Sequence, residues 1–196
     1  MGDDEAVLAR HQELVAATLG DVATGVLIVD GCDFPKQGTH SVGVARQYSG
    51  TLGRTDNCQV AVSLHLASEA GSACIGFRLY LPESWACDPV RCEKAKVPDD
   101  VDFEKKWSIA LGQVRDALSW GVRPHVVLAD AGYGEVTAFR EGLTELGLSY
   151  VVGVPGTLKV WPPGVDPDEP DSSPPSVKEL VVGVPSSAWR TVRWRE

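Results

Sequence analysis

Two short apolar segments that each end on an aspartate constrain the fold more than any other feature of this chain. The first, GVLIVD, places four consecutive apolar residues before Asp30, and the second, HVVLAD, ends on Asp130. Uninterrupted apolar runs of this kind are typical of strands buried on both faces of a parallel or mixed sheet. A carboxylate at the end of such a strand is either a turn residue or a ligand at the sheet edge, and these residues alone leave both interpretations open.

The other segments of the chain predict an α+β domain. Residues 4–19 carry apolar side chains at helical spacing, and a turn rich in Gly, Pro and Asp follows Asp30. SVGVARQY, NCQVAVSLHLAS and ACIGFRLYLP then predict an antiparallel meander, because short Gly-bearing turns join them. After a long connection that we predict to be irregular, two amphipathic helices alternate with the strands HVVLAD and SYVVGV. A chain that begins with antiparallel strands and continues with a βαβ unit is typical of a mixed sheet with helices packed on it.

Composition excludes several classes of protein. The chain has 196 residues, 43% of them hydrophobic and 23% charged, which is typical of a globular domain with its own core. Its apolar runs are all shorter than the roughly 20 residues that span a bilayer, and its acidic start is unlike a secretory signal. Five cysteines without a CxxC pair indicate reduced thiols. We therefore expect a cytoplasmic protein without a membrane partner.

Net charge and local charge give opposite indications about nucleic acid. The formal net charge is −9, which gives no general attraction for DNA. The segment from residue 34 to residue 55 differs, because it contains Lys36, Arg46 and Arg54 and no acidic residue. These three residues are DNA-binding candidates that could contact a phosphate backbone. A solvated hairpin surface explains the same pattern, and charge alone favours that simpler explanation.

Several sequence blocks resemble those of one family. VDGCDFPKQGTHSVGVARQYSGTLGRTDNCQVAV resembles the bacterial insertion-sequence transposases of the DDE type, which have a ribonuclease H-like fold. LYLPESWACD, VPDDVDFEKKW and VVLADAGYGE are similar to later blocks of the same family, so the resemblance runs in order through residues 20–160. It implies a mixed sheet in which the strands ending on Asp30 and Asp130 are parallel neighbours. It also implies DNA strand cleavage and transfer that depend on Mg²⁺ or Mn²⁺, with insertion-sequence ends and target DNA as partners.

The resemblance assigns roles to individual positions. Asp30 matches the first catalytic aspartate of the family and Asp130 the second, so both are implied to be catalytic residues and metal ligands. Lys36 matches the lysine of the family's FPKxG turn. Directly after Asp30, the chain has GCD where the family often has an acid, then Thr and Gly. We expect these replacements to perturb the turn beside the first catalytic position.

The third carboxylate of the family, a glutamate on a later helix, has no match in this sequence. Glu135 follows DAGYG too closely, and Glu169 and Glu179 lie in a Pro-rich stretch. Glu196 is the last residue. These glutamates are candidates by residue type only, so we expect the catalytic glutamate to be missing.

The resemblance and the composition also predict how the chain is divided. We expect a helical lead-in over residues 1–19 and a partial ribonuclease H-like core over residues 20–155. Residues 156–196 are expected to be a Pro-rich insertion segment that is cut short before the glutamate-bearing helix. Within it, the stretch VWPPGVDPDEPDSSPPSVKEL is expected to be a surface loop with little fixed structure. We expect such a fragment to be inactive alone, because two adjacent carboxylates without the third ligand repel each other and bind a metal weakly.

Two other interpretations stay open. The chain is alternatively a non-catalytic regulatory or binding fragment that associates with full-length transposase, with itself or with transposon DNA. It is also open that Asp30 and Asp130 only cap turns in an unrelated α/β enzyme, in which case their carboxylates would lie well apart. For the transposase interpretation we expect DNA as the partner and the nucleoid of a bacterial cytoplasm as the location.

Overall fold

The computed structural model describes residues 4–19, 25–162, 164–166 and 173–192. The chain divides into two compact units, residues 1–153 and 154–196. The elements of the first unit are α1 (Asp4–Leu19), β1 (Val26–Pro35), β2 (Ala45–Ser49), β3 (Arg54–Ser68), β4 (Gly71–Leu79), α2 (Glu83–Ala86), α3 (Pro89–Ala95), α4 (Lys106–Ser119), β5 (Val126–Ala129), α5 (Ala131–Gly134), α6 (Thr137–Glu145) and β6 (Tyr150–Val152). Those of the second unit are α7 (Val177–Val182) and a short 3₁₀ helix (Ser186–Ala188). Among the residues described, no helix is long and apolar enough to cross a membrane.

A mixed sheet of six strands forms the centre of the first unit. β1 lies in its middle, where it pairs antiparallel with β3 and parallel with β5, and β6 continues the parallel half. β2 and β4 both pair antiparallel with β3, so β3 rather than β2 lies beside β1. This arrangement confirms the predicted α+β class with a mixed sheet, in which an antiparallel half precedes the βαβ part, and it is consistent with a ribonuclease H-like fold.

The apolar run of β1 explains its central position. Leu27 and Val29 are almost fully buried and belong to the same core cluster as Ile109, Val114 and Ala117 of α4. Removing Leu, Val or Ile side chains from water stabilises a fold by roughly 1.5–3 kcal/mol each. The main core therefore fixes the strand that leads to Asp30.

β1 continues beyond Asp30 to Pro35. Each residue from Asp30 to Pro35 has a partner on β3, between Ser63 and Cys58. β3 is 15 residues long, so it can pair with the whole of β1. The prediction of a turn directly after Asp30 is wrong, because pairing with a long neighbouring strand outweighs the turn preference of the GCD segment.

The connection between β4 and α4, predicted to be irregular, contains the short helices α2 and α3. Trp85 of α2 is fully buried in a second small core, where its indole N–H donates to the Val44 carbonyl oxygen at 2.8 Å. The Asp88 carboxylate accepts from the Arg91 N–H at 3.0 Å and caps α3. Helices of four and seven residues are too short to show a clear apolar period, which explains why the sequence did not predict them.

The second unit contains more regular structure than predicted. Lys159 and Ser176 form an antiparallel bridge, and α7 begins directly after Ser176. The Ser176 hydroxyl accepts from the Glu179 N–H, while the Glu179 carboxylate accepts from the Ser176 N–H at 2.7 Å. The prediction of little fixed structure is therefore wrong over residues 176–180. The domain limits expected from the sequence stay predictions.

Candidate active site

Asp30 and Asp130 come to the same place because the strands that carry them are parallel neighbours. In the ladder between β1 and β5, Val29 is the partner of Ala129, so each aspartate follows one member of a pair. Neighbouring strands lie about 4.8 Å apart. Both aspartates line one open cavity of about 270 Å³ in the first unit. The juxtaposition implied by the resemblance is therefore present.

The start of a short helix holds Asp130. This residue is the N-cap of α5, and its Oδ1 accepts from the N–H groups of Gly132 at 3.0 Å and Tyr133 at 3.3 Å. Two backbone donors on one oxygen fix the direction of the carboxylate. The other oxygen, Oδ2, forms no hydrogen bond with the residues described, so it can take a ligand.

Two glycines allow the turn that carries Asp130 to pack against β6. A Cβ atom on Gly134 would collide with the carbonyl oxygen of Gly153, and one on Gly153 would lie 2.8 Å from the Ala131 nitrogen. The Gly153 N–H donates to the Ala129 carbonyl oxygen at 2.9 Å. The glycine that ends the ADAGYG block is thus explained by a close backbone contact with Gly153.

Asp30 is held through the strand rather than through a helix. Its Oδ1 accepts from the Gly31 N–H at 2.7 Å. Its backbone carbonyl oxygen accepts from the hydroxyl of Ser63 at 3.3 Å, and Ser63 is fully buried. The second carboxylate oxygen forms no hydrogen bond within the described part of the chain. Each aspartate therefore has one oxygen that can bind a ligand.

Asp33, Lys106 and Tyr133 are among the further side chains that line the cavity, and no role in it was predicted for them from the sequence. Burial, and then the neighbouring Asp130, raise the pKa of the Tyr133 phenol well above its ordinary value. The Tyr133 side chain therefore lines the cavity as an uncharged group. Asp33 was visible in the sequence only as a departure from the family pattern. Lys106 lies in the EKKW block, where nothing distinguishes it from Lys105 before folding.

The oxygen ligands of this cavity fit a hard divalent cation. Mg²⁺ prefers carboxylate oxygens, keeps several waters, and is typically held by one or two protein carboxylates together with phosphate oxygens. Asp30 and Asp130 provide two such carboxylates in one cavity. Within the described residues there is no group of three or more His, Cys, Asp or Glu side chains that could hold a metal ion. Asp30 and Asp130 therefore fit a divalent cation as two carboxylate ligands, and the described residues contain no group of three possible ligands.

The three basic residues of the predicted segment do not line this cavity, although Tyr48 and Gly50 of the same segment do. Lys36 and Arg46 are exposed, and the Arg54 guanidinium donates to the Asp56 carboxylate at 2.8 Å. The N–H of Asn57 and the Arg54 side chain lower the pKa of Asp56. Arg54 is thus already paired with an acid, and DNA binding by the three basic residues stays a prediction.

None of the glutamates among the described residues lines the cavity. Glu135 is the C-cap of α5 and does not line the cavity. Glu179 belongs to the second unit, where its carboxylate is engaged at the start of α7. Glu169 and Glu196 lie outside the described residues.

One protein family accounts for almost the whole sequence. The model of the family described as DDE superfamily endonuclease matches residues 3–196. The chain belongs to this family. The family predicted from the sequence blocks is confirmed, and DDE endonucleases generally depend on divalent metal ions.

Individual relatives cover the chain less completely. It is 32% identical over 130 residues to the probable transposase for insertion sequence element IS701 of Microchaete diplosiphon. The match covers 66% of this chain and 31% of that protein, so the chain spans about a third of the length of this curated relative. The solved Drosophila P element transposase strand transfer complex matches 70% of this chain and 24% of its own, at 13% identity and a TM-score of 0.30. A likeness with so low a TM-score supports no conclusion about fold or function.

Proposed function

We propose that the first unit is the catalytic core of a DNA transposase, in which Asp30 and Asp130 together bind Mg²⁺ or Mn²⁺. The register of β1 and β5 carries this proposal, because it brings both aspartates into one cavity. The reaction is cleavage of a DNA strand at the ends of an insertion sequence and its transfer to target DNA. The nucleoid of a bacterial cell is where such a protein meets its substrate.

The two aspartates have defined parts in this chemistry. A bound divalent ion activates the attacking hydroxyl group and stabilises the leaving oxygen of the phosphodiester. Asp130 presents Oδ2 in a fixed direction, because backbone N–H groups of Gly132 and Tyr133 hold Oδ1. Asp30 presents its free oxygen from β1, and the residues of β1 before and after Asp30 both pair with β3.

We propose that this chain binds metal and DNA but does not cut DNA on its own. The resemblance implies three carboxylates, and the described residues contain no group of three possible metal ligands. Two carboxylates hold an ion more weakly than three would, because fewer charged oxygen ligands surround it. Binding can then occur without a complete catalytic site.

DNA binding with and without a divalent ion tests the proposal. A fluorescent duplex carrying an insertion-sequence end is titrated with wild type, Asp30→Asn and Asp130→Asn at constant ionic strength, in Ca²⁺ and in EDTA. We expect Ca²⁺ to tighten binding by wild type about tenfold, equivalent to about 1.4 kcal/mol, and to leave both variants unchanged. Binding that is equal in the two buffers for all three proteins would overturn the proposal.

Plasmid nicking in Mn²⁺ is the companion measurement. We expect no nicking by wild type above the level of Asp130→Asn. Nicking by wild type that is lost in Asp130→Asn would show that the chain completes its own catalytic site, which contradicts the proposed inactivity while supporting the role of the aspartates.

A second candidate function is regulation without catalysis, in which the chain associates with full-length transposase or with transposon ends. The described residues contain no group of three possible metal ligands, which favours this candidate as well. Co-elution of the chain with a longer DDE transposase at micromolar concentration would support it. Separate elution of the two proteins, in the presence and absence of end DNA, would exclude it.

A further inference from the structure

The cavity beside Asp30 and Asp130 has an unfavourable charge for a site that receives DNA. The carboxylates of Asp30, Asp33 and Asp130 all line it, and each repels the phosphates of a DNA strand. One divalent ion carries only two positive charges, fewer than the negative charges of these carboxylates and a phosphate together. A phosphate that enters the cavity therefore needs a cationic side chain as well.

Lys106 is the one cation among the described residues that line this cavity. It is the first residue of α4, and its half-buried side chain places the ammonium 4.9 Å from the centre of the Tyr80 ring. None of the salt bridges between described residues includes Lys106. An aromatic ring thus positions the ammonium, while its N–H donors have no acidic partner in contact.

The surroundings of Lys106 favour the arrival of an anion. Burial lowers the pKa of the ammonium, and Asp33 acts in the opposite direction without forming a salt bridge. Charge pairs are stronger where water is partly excluded, so an anion in contact with Lys106 would offset the effect of burial. A phosphate oxygen can supply that charge.

We propose that Lys106 binds a phosphate group of the DNA strand that enters this cavity, and that Asp33 competes with the phosphate for it. This role rests on the proposed function, since it requires DNA at Asp30 and Asp130. Asp33 lies on β1 in the same cavity, where its Oδ2 accepts from the Thr51 N–H at 3.3 Å. The resembling family often has Gly here, so the competing carboxylate distinguishes this chain from that pattern.

Substitution of Lys106 and, separately, of Lys105 by glutamine tests whether Lys106 binds a phosphate. Lys105→Gln is the matched control, because Lys105 is exposed, lies outside the cavity and makes no side-chain capping hydrogen bond. In Ca²⁺ we expect Lys106→Gln to bind the duplex about tenfold more weakly than Lys105→Gln. The slope of log affinity against log salt should also become shallower by about one. Lys106→Arg should restore most of the affinity, and the unfolding midpoint of each variant verifies that it is folded.

A second substitution tests the competition. We expect Asp33→Asn to tighten DNA binding about threefold in the protein that keeps Lys106, because a competing charge is removed. In the Lys106→Gln background the same substitution should change affinity much less. A gain of equal size in both backgrounds would show that Asp33 acts only by general repulsion and would overturn the competition.

The outcomes separate this role from the proposed function. Equal affinity and equal salt slope for Lys106→Gln and Lys105→Gln overturn the role of Lys106, even when Asp30→Asn still abolishes the Ca²⁺ effect. Absence of DNA binding by wild type in both buffers overturns the proposed function itself, and the role of Lys106 with it.

Discussion

The two carboxylate oxygens of Asp130 have different roles, one in capping a helix and the other in the proposed metal binding. Oδ1 caps α5 by accepting from the N–H groups of Gly132 and Tyr133. Oδ2 is proposed to bind the metal ion. Asparagine keeps an oxygen that can cap a helix but lacks the charge that a hard cation needs, whereas alanine removes both. Substitutions at this one residue can therefore separate stability from metal binding.

We predict that Asp130→Asn unfolds at nearly the same urea concentration as wild type, and that Asp130→Ala loses about 1 kcal/mol because the cap is absent. Mn²⁺ should stabilise wild type, since a ligand that binds only the folded state raises stability, and should stabilise neither variant. Urea unfolding with and without Mn²⁺ measures both effects. Stabilisation of Asp130→Asn by Mn²⁺ to the same extent as wild type would contradict the assignment of Oδ2.

At the scale of the elements, the contact between α5 and β6 positions the turn that carries Asp130. Gly134 has no room for a side chain, because the carbonyl oxygen of Gly153 lies where a Cβ atom would be. Gly112 of α4 is also a helical glycine, but nothing lies within 4 Å of its Cβ position. The two glycines therefore form a matched pair for substitution by alanine.

We predict that Gly134→Ala destabilises the first unit by about 1–3 kcal/mol, the usual effect of overpacking. Gly112→Ala should instead stabilise it by up to about 1 kcal/mol, because alanine is the better helix former. Thermal unfolding of both variants is the measurement. Similar stability changes for the two would show that β6 does not pack tightly against α5.

The capping box of α7 gives a prediction in the second unit. The Ser176 N–H, and then its hydroxyl, lower the pKa of the Glu179 carboxyl. A carboxyl with a lowered pKa in the folded state stabilises the fold above its ordinary pKa, and this effect is lost as pH falls through the lowered value. The stabilisation of the fold by the ionised Glu179 carboxylate is therefore complete at neutral pH and is lost in acid.

We predict that Ser176→Ala raises the pKa of Glu179 towards its ordinary value, because the hydroxyl contact is lost while the backbone N–H remains. An NMR titration of the Glu179 side-chain carboxyl carbon measures this change, with Ser186→Ala as a control outside the capping box. A pKa that does not move in Ser176→Ala would mean that the hydroxyl does not contact Glu179 in solution.

For the whole molecule, a mixed sheet could be predicted from local patterns, whereas the adjacency of the Asp30 and Asp130 strands was implied only by the family resemblance. The strand order, in which β3 rather than β2 lies beside β1, could not be predicted. The apolar run before Asp30 allows little other than a central strand, and the run before Asp130 allows the same. The extension of β1 to Pro35 could not be predicted, since it depends on pairing with the distant β3. Local turn preference at the GCD segment gave the opposite answer.

The position of Lys106 in the cavity could not be predicted from the sequence for a related reason. The apolar period of α4 identifies which side chains face the core, such as Val114, but not which strand end lies near its first turn. Lys105 and Lys106 are therefore equivalent in the sequence and different in the fold, where only Lys106 lines the cavity. The family resemblance identified Asp30 and Asp130, and the tertiary packing was needed to identify Asp33 and Lys106 as their neighbours.

Because the whole molecule is acidic, the proposed DNA binding depends on the metal ion. A protein with a net charge of −9 has no general attraction for DNA, so binding depends on local features. In our account these features are a cation held between Asp30 and Asp130, and Lys106 beside it. The metal-binding property of the aspartate pair is therefore the claim on which the other proposals depend.

Electron paramagnetic resonance of Mn²⁺ can test this claim without DNA, since the sharp spectrum of the hydrated ion broadens when a protein binds it. We predict that wild type binds about one Mn²⁺ per chain and that Asp30→Asn and Asp130→Asn each lose this binding. Asp56→Asn is the control, because Asp56 pairs with Arg54 and does not line the cavity. No Mn²⁺ binding by wild type, or equal binding by wild type and both aspartate variants, would contradict the joint role of Asp30 and Asp130.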